Sequence, residues 1–308
     1  MNMKNYVLGG MALLAALIMS SCGHSDYKKT KTGMAYDIIS SGKGNLIKHG
    51  QLIKIHFKLQ IGDSVLQDTW EHIPAYGMVD STMKDQHNFT DILPLMRVGD
   101  SAVFIRSIDT LKKMNQMPPD AKYAAGATMK GYIKVIASFK NEADLEADYK
   151  KEEAAELTRE SAHLEKYLKD KGINAVKTPK GAFVEVVEPG TGAVADSGKL
   201  VSVLYHGTTV DNKVFDSSRD SAFGHVNKPY DFVIGRDPVV EGWVECLKYF
   251  KAGGKGKMFI PAMMGYKNQA KSEILKPYTD LIFDIELVSV KDAPAPPAGS
   301  PQAMPPQQ

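Results

Sequence analysis

Gly181 to Ser218 reads GAFVEVVEPGTGAVADSGKLVSVLYHGTTVDNKVFDSS, and Gly33 to Trp70 reads GMAYDIISSGKGNLIKHGQLIKIHFKLQIGDSVLQDTW. Laid over one another without a gap, Gly33, Gly42, Gly44, Gly50 and Leu52 fall on Gly181, Gly190, Gly192, Gly198 and Leu200. Phe57 falls on Tyr205, Asp63 on Asp211, and Asp68 on Asp216. Further along, Phe89, Leu93 and Gly99 stand opposite Trp243, Leu247 and Gly253. The period is far longer than the 20–50 residues of stacked repeats, so the pattern is a duplicated domain and not a solenoid.

Each copy reads mostly as strand. Phe183 to Val187 and Leu200 to Tyr205 are rich in β-branched and aromatic residues and bounded by glycine. Gly190-Thr-Gly192 between them is a turn, because no GxGxxG pattern and no helix follow. Asp211-Asn212 signals a hairpin, and Leu281 to Val288 reads as a last, central strand. Trp243, Cys246, Leu247 and Phe250 share one face of a short helix that Gly253-Gly254 is expected to end. On that face Cys246 is expected to be a small buried hydrophobe rather than a reactive thiol.

Between the copies, residues 141–171 are rich in Glu, Lys and Ala and contain no Gly or Pro. Asn141 with Asp144 reads as an N-cap; Lys169, Lys171 and Gly172 read as the other end. Leu157, Ser161, Leu164 and Leu168 form a narrow stripe that either packs on a domain of the same chain or pairs with a second copy in a homodimer.

Working outward, the first 22 residues read as an export signal. Lys4 gives a positive start, Tyr6 to Met19 an apolar run too short for the ~20 residues of a membrane span, and Ser20-Ser21 the small pair before Cys22. At the other end, residues 292–308 read as a solvated, polyproline-leaning tail. The 308 residues are 43% hydrophobic and 24% charged, which fits globular protein of about two domains. A net charge of +2 gives no electrostatic reason to propose nucleic acid as a partner. With two cysteines and no CxxC, HExxH or Cys/His cluster, neither a disulfide nor a metal site is expected.

The second copy gathers Tyr205, Phe215, Asp216, Tyr230, Val239, Val240, Trp243, Tyr266, Ile274, Leu275 and Phe283. No nucleophile–base pair is evident among them. What remains is an aromatic-rich set with one carboxylate, the composition of an apolar side-chain pocket. Here the motifs VFDSSRD, NKPYDF, VVEGW, FIP and LIFDIEL, in this order over Thr178 to Val290, resemble the FKBP family of peptidyl-prolyl isomerases. The resemblance implies an α+β fold: two FKBP-like domains, each a bent antiparallel sheet wrapped around a short helix, joined by a long α-helix. The expected divisions are a signal over 1–22, a linker over 23–31, a degenerate copy over 32–140, a helical connector over 141–176, the isomerase domain over 177–291 and the tail.

It also implies roles, residue by residue. Trp243 is the floor on which a proline ring rests. Tyr205, Phe215 and Phe283 are aromatic walls, with Tyr230 at the edge. Val239 and Val240 are the aliphatic pair beside the Trp, and Val240 offers its N–H. Asp216 is the buried acid near the twisting amide, or an acid that ties down the turn Ser217-Ser218-Arg219. Tyr266 reaches a substrate carbonyl, and Ile274 and Leu275 form an apolar flap. Asp216, Tyr266 and Trp243 are thus the candidate catalytic residues; no cofactor is implied.

Three departures stand out: a longer stretch over Ser221 to Val226, Lys267 where the family usually has Gly after the tyrosine, and an unusual Met263-Met264-Gly265 just before it. The sequence around Cys22 is also similar to the lipobox of bacterial lipoproteins, with Met19 in place of the commoner Leu. That similarity implies a lipid anchor at Cys22 and a location in the cell envelope. The expected place is the outer membrane facing the periplasm, with the cell surface as the alternative. The expected partners are proline-containing unfolded or nascent envelope proteins. The rival functional readings are a non-catalytic proline-peptide-binding chaperone or assembly scaffold, and a structural lipoprotein.

In the first copy, Gln67 stands opposite Phe215, Phe89 replaces the Trp, Gly131 faces Phe283, and Tyr266 has no clear counterpart. Little or no isomerase activity is expected there; a surface for unfolded chains or a dimerisation role is.

Overall fold

A computed structural model of the chain describes residues 27–80, 82 and 86–294. The export-signal and Cys22 readings, and the tail from residue 295 on, lie outside the described residues. The chain divides into two compact units between Ala147 and Asp148.

The first unit contains β1 (Lys28–Lys29), β2 (Ala35–Ile39), β3 (Leu52–Ile61), β4 (Ser64–Asp68), β5 (Ala75–Met78), β6 (Ser101–Ser107), helix α1 (Ile108–Lys113) and β7 (Thr128–Phe139). Helix α2 (Glu142–Lys171) leads into the second unit. There follow β8 (Val176–Lys177), β9 (Phe183–Glu188), β10 (Lys199–Thr209), β11 (Val214–Ser217), β12 (Tyr230–Val233), helix α3 (Glu241–Cys246), β13 (Gly254–Ile260) and β14 (Leu281–Asp292).

Both sheets are antiparallel and share one topology. The first runs β1-β2-β6-β7-β3-β4 with β5 on β3; the second runs β8-β9-β13-β14-β10-β11 with β12 on β10. Element for element these orders match, as the internal repeat requires. Alternation explains the layering: along β10, Val201, Val203, Tyr205, Gly207 and Thr209 are buried while their neighbours are less so. β14 pairs with both β10 and β13, which makes it central and accounts for its apolar start at Leu281, Ile282 and Phe283. At the start of the domain, Gly190 has φ 78°, and a Cβ there would lie 2.4 Å from the Lys251 carbonyl oxygen, so the Gly190–Gly192 segment is a turn that only glycine can enter.

Trp243, Cys246, Leu247 and Phe250 are all buried in the second core beside Val203, Phe232, Met258 and Ile285. Burial also pushes the Cys246 thiol pKa up, as expected of an inert cysteine. The glycine pair does not end this helix: α3 stops at Cys246, a 3-10 turn covers Leu247–Tyr249, and Gly253-Gly254 turns the chain into β13. In the first unit the equivalent segment is shorter still, two 3-10 turns over Phe89–Asp91 and Leu93–Leu95, with Pro94 in the second.

Asn141 caps α2 as the sequence suggests: its Oδ1 accepts the Asp144 N–H at 2.8 Å, and its Nδ2 reaches back to the Asp144 carboxylate at 3.1 Å. The helix closes with Gly172 at φ 67° and Ile173 N–H donating to Leu168 O at 2.9 Å. The stripe Leu157, Ser161, Leu164 and Leu168 is covered within the second unit. Leu164 and Leu168 pack with Phe183, Phe259 and Ile282, and Ser161 Oγ donates to Gly181 O at 2.7 Å. Pairing with a second copy through this stripe is therefore not available. Past the expected end of the domain, Asp292 still belongs to β14 and holds Lys199 Nζ at 2.5 Å.

Candidate active site

The sheet of the second unit carries Tyr205, Phe215, Asp216, Tyr230 and Phe283, helix α3 carries Trp243, and the connecting segments carry Val239, Val240, Tyr266, Ile274 and Leu275. Trp243 sits in the first turns of α3, only 5% exposed. Three rings stand nearly perpendicular to its indole: Tyr205 of β10 at 5.2 Å, Phe283 of β14 at 5.2 Å and Tyr230 of β12 at 6.4 Å. Phe215 of β11 meets Phe283 edge-on at 5.5 Å. Such edge-to-face contacts suit the ring quadrupoles and fix the rings in place. Val239, Val240 and Tyr266 pack, partly buried, against the same cluster; Leu275 is buried in it. Ile274 next to Leu275 is 37% exposed and Tyr230 44%, so both lie at the rim. Phe232, fully buried, backs the indole at 5.7 Å.

Asp216 is partly buried rather than buried. Its Oδ2 accepts the Tyr205 hydroxyl at 2.7 Å, and its Oδ1 accepts the Ser217 N–H at 2.8 Å. The neighbouring turn is closed by Tyr205 N–H donating to Ser218 Oγ and Arg219 N–H donating to Ser217 Oγ. One carboxylate thus serves the turn and faces the aromatic cluster at once. Burial, followed by the Asp216 hydrogen bond and charge, holds the Tyr205 phenol far above its ordinary pKa; burial and then the Asp216 charge also raise that of Tyr266. Both phenols therefore stay protonated as hydrogen-bond donors. Lys267, where the family usually has Gly, has φ 55°, the left-handed region that explains the usual choice.

Two features had escaped the sequence reading. Gly207 leaves room for two walls: a Cβ there would lie 2.8 Å from Phe215 Cζ and 3.1 Å from Phe283 Cε1. Glu160 of α2 and Asp280 reach the turn before Tyr266 from behind. The signal was there, since Glu160 lies three residues after Leu157 and four before Leu164, on the apolar stripe itself.

In the first unit the same positions hold different chemistry. Gly131 pairs with Leu59 as Phe283 pairs with Gly207, so Gly131 does stand for Phe283. Its space is taken by Phe104, whose Cζ would lie 2.1 Å from a Cβ at Gly131. The hairpin corrects the gapless alignment. The β3–β4 turn is Gly62-Asp63, closed by Ile61 and Ser64, while the β10–β11 turn is one residue longer, Val210-Asp211-Asn212. Thr69 then stands for Ser218, each hydroxyl accepting the N–H of Phe57 or Tyr205. Gln67, opposite Leu59, stands for Asp216, and Asp68 stands for Ser217. The acid has gone from this copy along with the Trp.

Residues 192–288 match the family described as FKBP-type peptidyl-prolyl cis-trans isomerase. This stretch of the second unit is an FKBP-type domain. The FKBP-type peptidyl-prolyl cis-trans isomerase FkpA of Escherichia coli (strain K12) is 36% identical over 149 residues, 48% of this chain and 52% of that protein. The outer membrane protein MIP of Legionella longbeachae is 31% identical over 52% of this chain and 65% of its own length. Among solved structures, that of FkpA from Escherichia coli is 34% identical over 50% of this chain and 67% of that one, with a TM-score of 0.38. The chain spans about half the length of the FkpA sequence it matches.

Proposed function

We propose that the C-terminal domain catalyses cis/trans isomerisation of X-Pro peptide bonds in other proteins, with Trp243, Asp216 and Tyr266 as catalytic residues. The observation that carries this reading is the Trp243 indole walled by perpendicular rings, with the Tyr205–Asp216 hydrogen bond beside it.

The geometry suits the reaction. Amide resonance sets a barrier of roughly 18–20 kcal/mol, and rotation breaks no bond, so no nucleophile is needed. The twisted amide has lost resonance and is less polar at its carbonyl. A pocket of Tyr205, Phe215, Trp243 and Phe283 that strips water from that carbonyl favours the twisted form over the planar one. Tyr266, kept protonated, is the donor for a substrate carbonyl; Val240 supplies a backbone N–H; Val239, Tyr230, Ile274 and Leu275 take up flanking residues. Lowering the barrier by about 7 kcal/mol would accelerate rotation roughly 10⁵-fold.

The test is a protease-free proline-isomerisation assay on the protein beside Asp216→Val and Trp243→Ala. Turnover is expected to fall at least about tenfold in each, with circular dichroism unchanged. A folded wild type with no turnover would leave proline-peptide binding without catalysis as the function.

The first unit, with its pocket filled and its acid replaced by Gln67, is proposed to take no part in catalysis and to offer a surface to unfolded chains. Lipidation of Cys22, an envelope location at the outer membrane, unfolded envelope proteins as clients, and a homodimer through a surface other than the α2 stripe complete the proposal. The MIP relative's description as an outer membrane protein supports the location.

A further inference from the structure

The segment that presents Tyr266 is anchored from outside the aromatic cluster. Leaving β13, the chain enters a 3-10 turn over Ala262–Met264, and both Gly265 and Lys267 donate their N–H to Ala262 O at 2.8 Å. The amides at the head of this turn find carboxylates. Ala262 N–H donates to Asp280 Oδ1 at 3.0 Å, and Met263 N–H donates to Glu160 Oε2 at 2.7 Å. Asp280 is held in turn by His163 Nδ1 at 3.0 Å, and just past the tyrosine Lys267 Nζ lies 3.5 Å from Glu153 Oε1. Glu153, Glu160 and His163 all belong to α2, seven and three residues apart, so one helix face holds the turn on both sides of Tyr266.

Glu160 is only 8% exposed and Asp280 6%, with Glu156 also buried close by. Among the described residues Glu160 Oε1 has no hydrogen-bond partner. Burying a carboxyl that leaves one oxygen unmatched is costly, and an apolar residue continuing the Leu157–Leu164 stripe would avoid the cost. What the carboxyl provides in return is directional: one acceptor for one backbone donor, three residues before the tyrosine.

We propose that Glu160 is a positioning residue of the isomerase site, which by holding the Met263 N–H sets the Ala262–Met264 turn and through it the place of the Tyr266 hydroxyl relative to Asp216. The kinetic consequence rests on the isomerase reading above; the geometric one does not. Helix α2 then belongs to the working site and is more than a spacer between units.

The experiment compares the wild type with Glu160→Gln, which keeps an acceptor, and Glu160→Met, which fills the space without one. Each is measured for kcat and KM on a proline peptide and for the NMR signals of the Tyr266 ring, assigned with Tyr266→Phe. For Glu160→Met, kcat is expected to fall about tenfold with KM within about twofold, and the Tyr266 signals to shift; Gln restores both. Added to Tyr266→Phe, the Met substitution is expected to cost no further turnover. If Glu160→Met does not fold, Glu160→Asp, which retracts the acceptor by one methylene, takes its place with the same expectations. A folded variant that melts lower but keeps wild-type kcat and unshifted Tyr266 signals overturns the proposal, since the contact is then structural only. If the wild type itself shows no turnover, the isomerase reading falls, and the Tyr266 signals alone decide: shifted in Met and restored in Gln supports positioning, unshifted overturns it.

Discussion

Glu160 holds its proton well into the neutral range. Burial pushes its carboxyl up to about 8 from an ordinary 4.5; Asp280 and Glu156 push the same way, while the Met263 N–H and Arg159 oppose them. Burial raises its neighbour Asp280 too, against the hydrogen bond from His163. The folded pKa of Glu160 lies above the unfolded one, so its contribution to stability is fully present below about 4.5 and lost as pH rises to about 8. Across that window each pH unit removes up to about 1.4 kcal/mol. Glu160→Gln has no such proton to lose. In denaturant titrations it is expected to be more stable than the wild type near about pH 9 and to converge with it near about pH 4.

At Gly207, the missing side chain is what makes space for Phe215 and Phe283. Gly207→Ala is expected to displace the partly exposed Phe215 before the buried Phe283, because the former can swing outward. A KM raised several-fold, with stability changed by less than about 1.5 kcal/mol, is the expected result in steady-state kinetics and thermal melts.

Among the elements, α2 is the one whose role the sequence left open. Its cap, its glycine stop and its narrow stripe were all legible, because capping and helical spacing are local. Which surface the stripe would meet was not, since Leu157 to Leu168 would suit either a neighbouring sheet or a second copy. Phe183, Phe259 and Ile282 decide it. Leu164→Ala is accordingly expected to destabilise the C-terminal unit by about 2–5 kcal/mol, read as an earlier unfolding transition of the Trp243 fluorescence. The hairpins teach the opposite lesson. The alignment of β4 on β11 was off by one residue because a turn can gain a residue without disturbing the strands around it, and only the hydrogen bonds of Thr69 and Ser218 fix the register.

For the whole molecule, the two units share a topology and differ in what fills the same place. In the second, Gly207 and Phe283 leave Trp243 framed by rings; in the first, Leu59 and Gly131 let Phe104 occupy the space. With Asp216→Val and Trp243→Ala combined in the full chain, no residual isomerisation above the uncatalysed rate is expected from the first unit; a residual rate lost on substituting Phe89 would contradict this. The sequence by itself determined the duplication, several strands of each copy and most of the aromatic set, because glycine turns, alternation and helical spacing are written in neighbouring residues. The filling of the first pocket by Phe104, the partial exposure of Asp216 and the anchoring of Tyr266 by Glu160 were decided only by the tertiary structure. Each depends on contacts between residues far apart in the chain, over a hundred positions in the case of Glu160 and Met263, and no local pattern encodes such a distance.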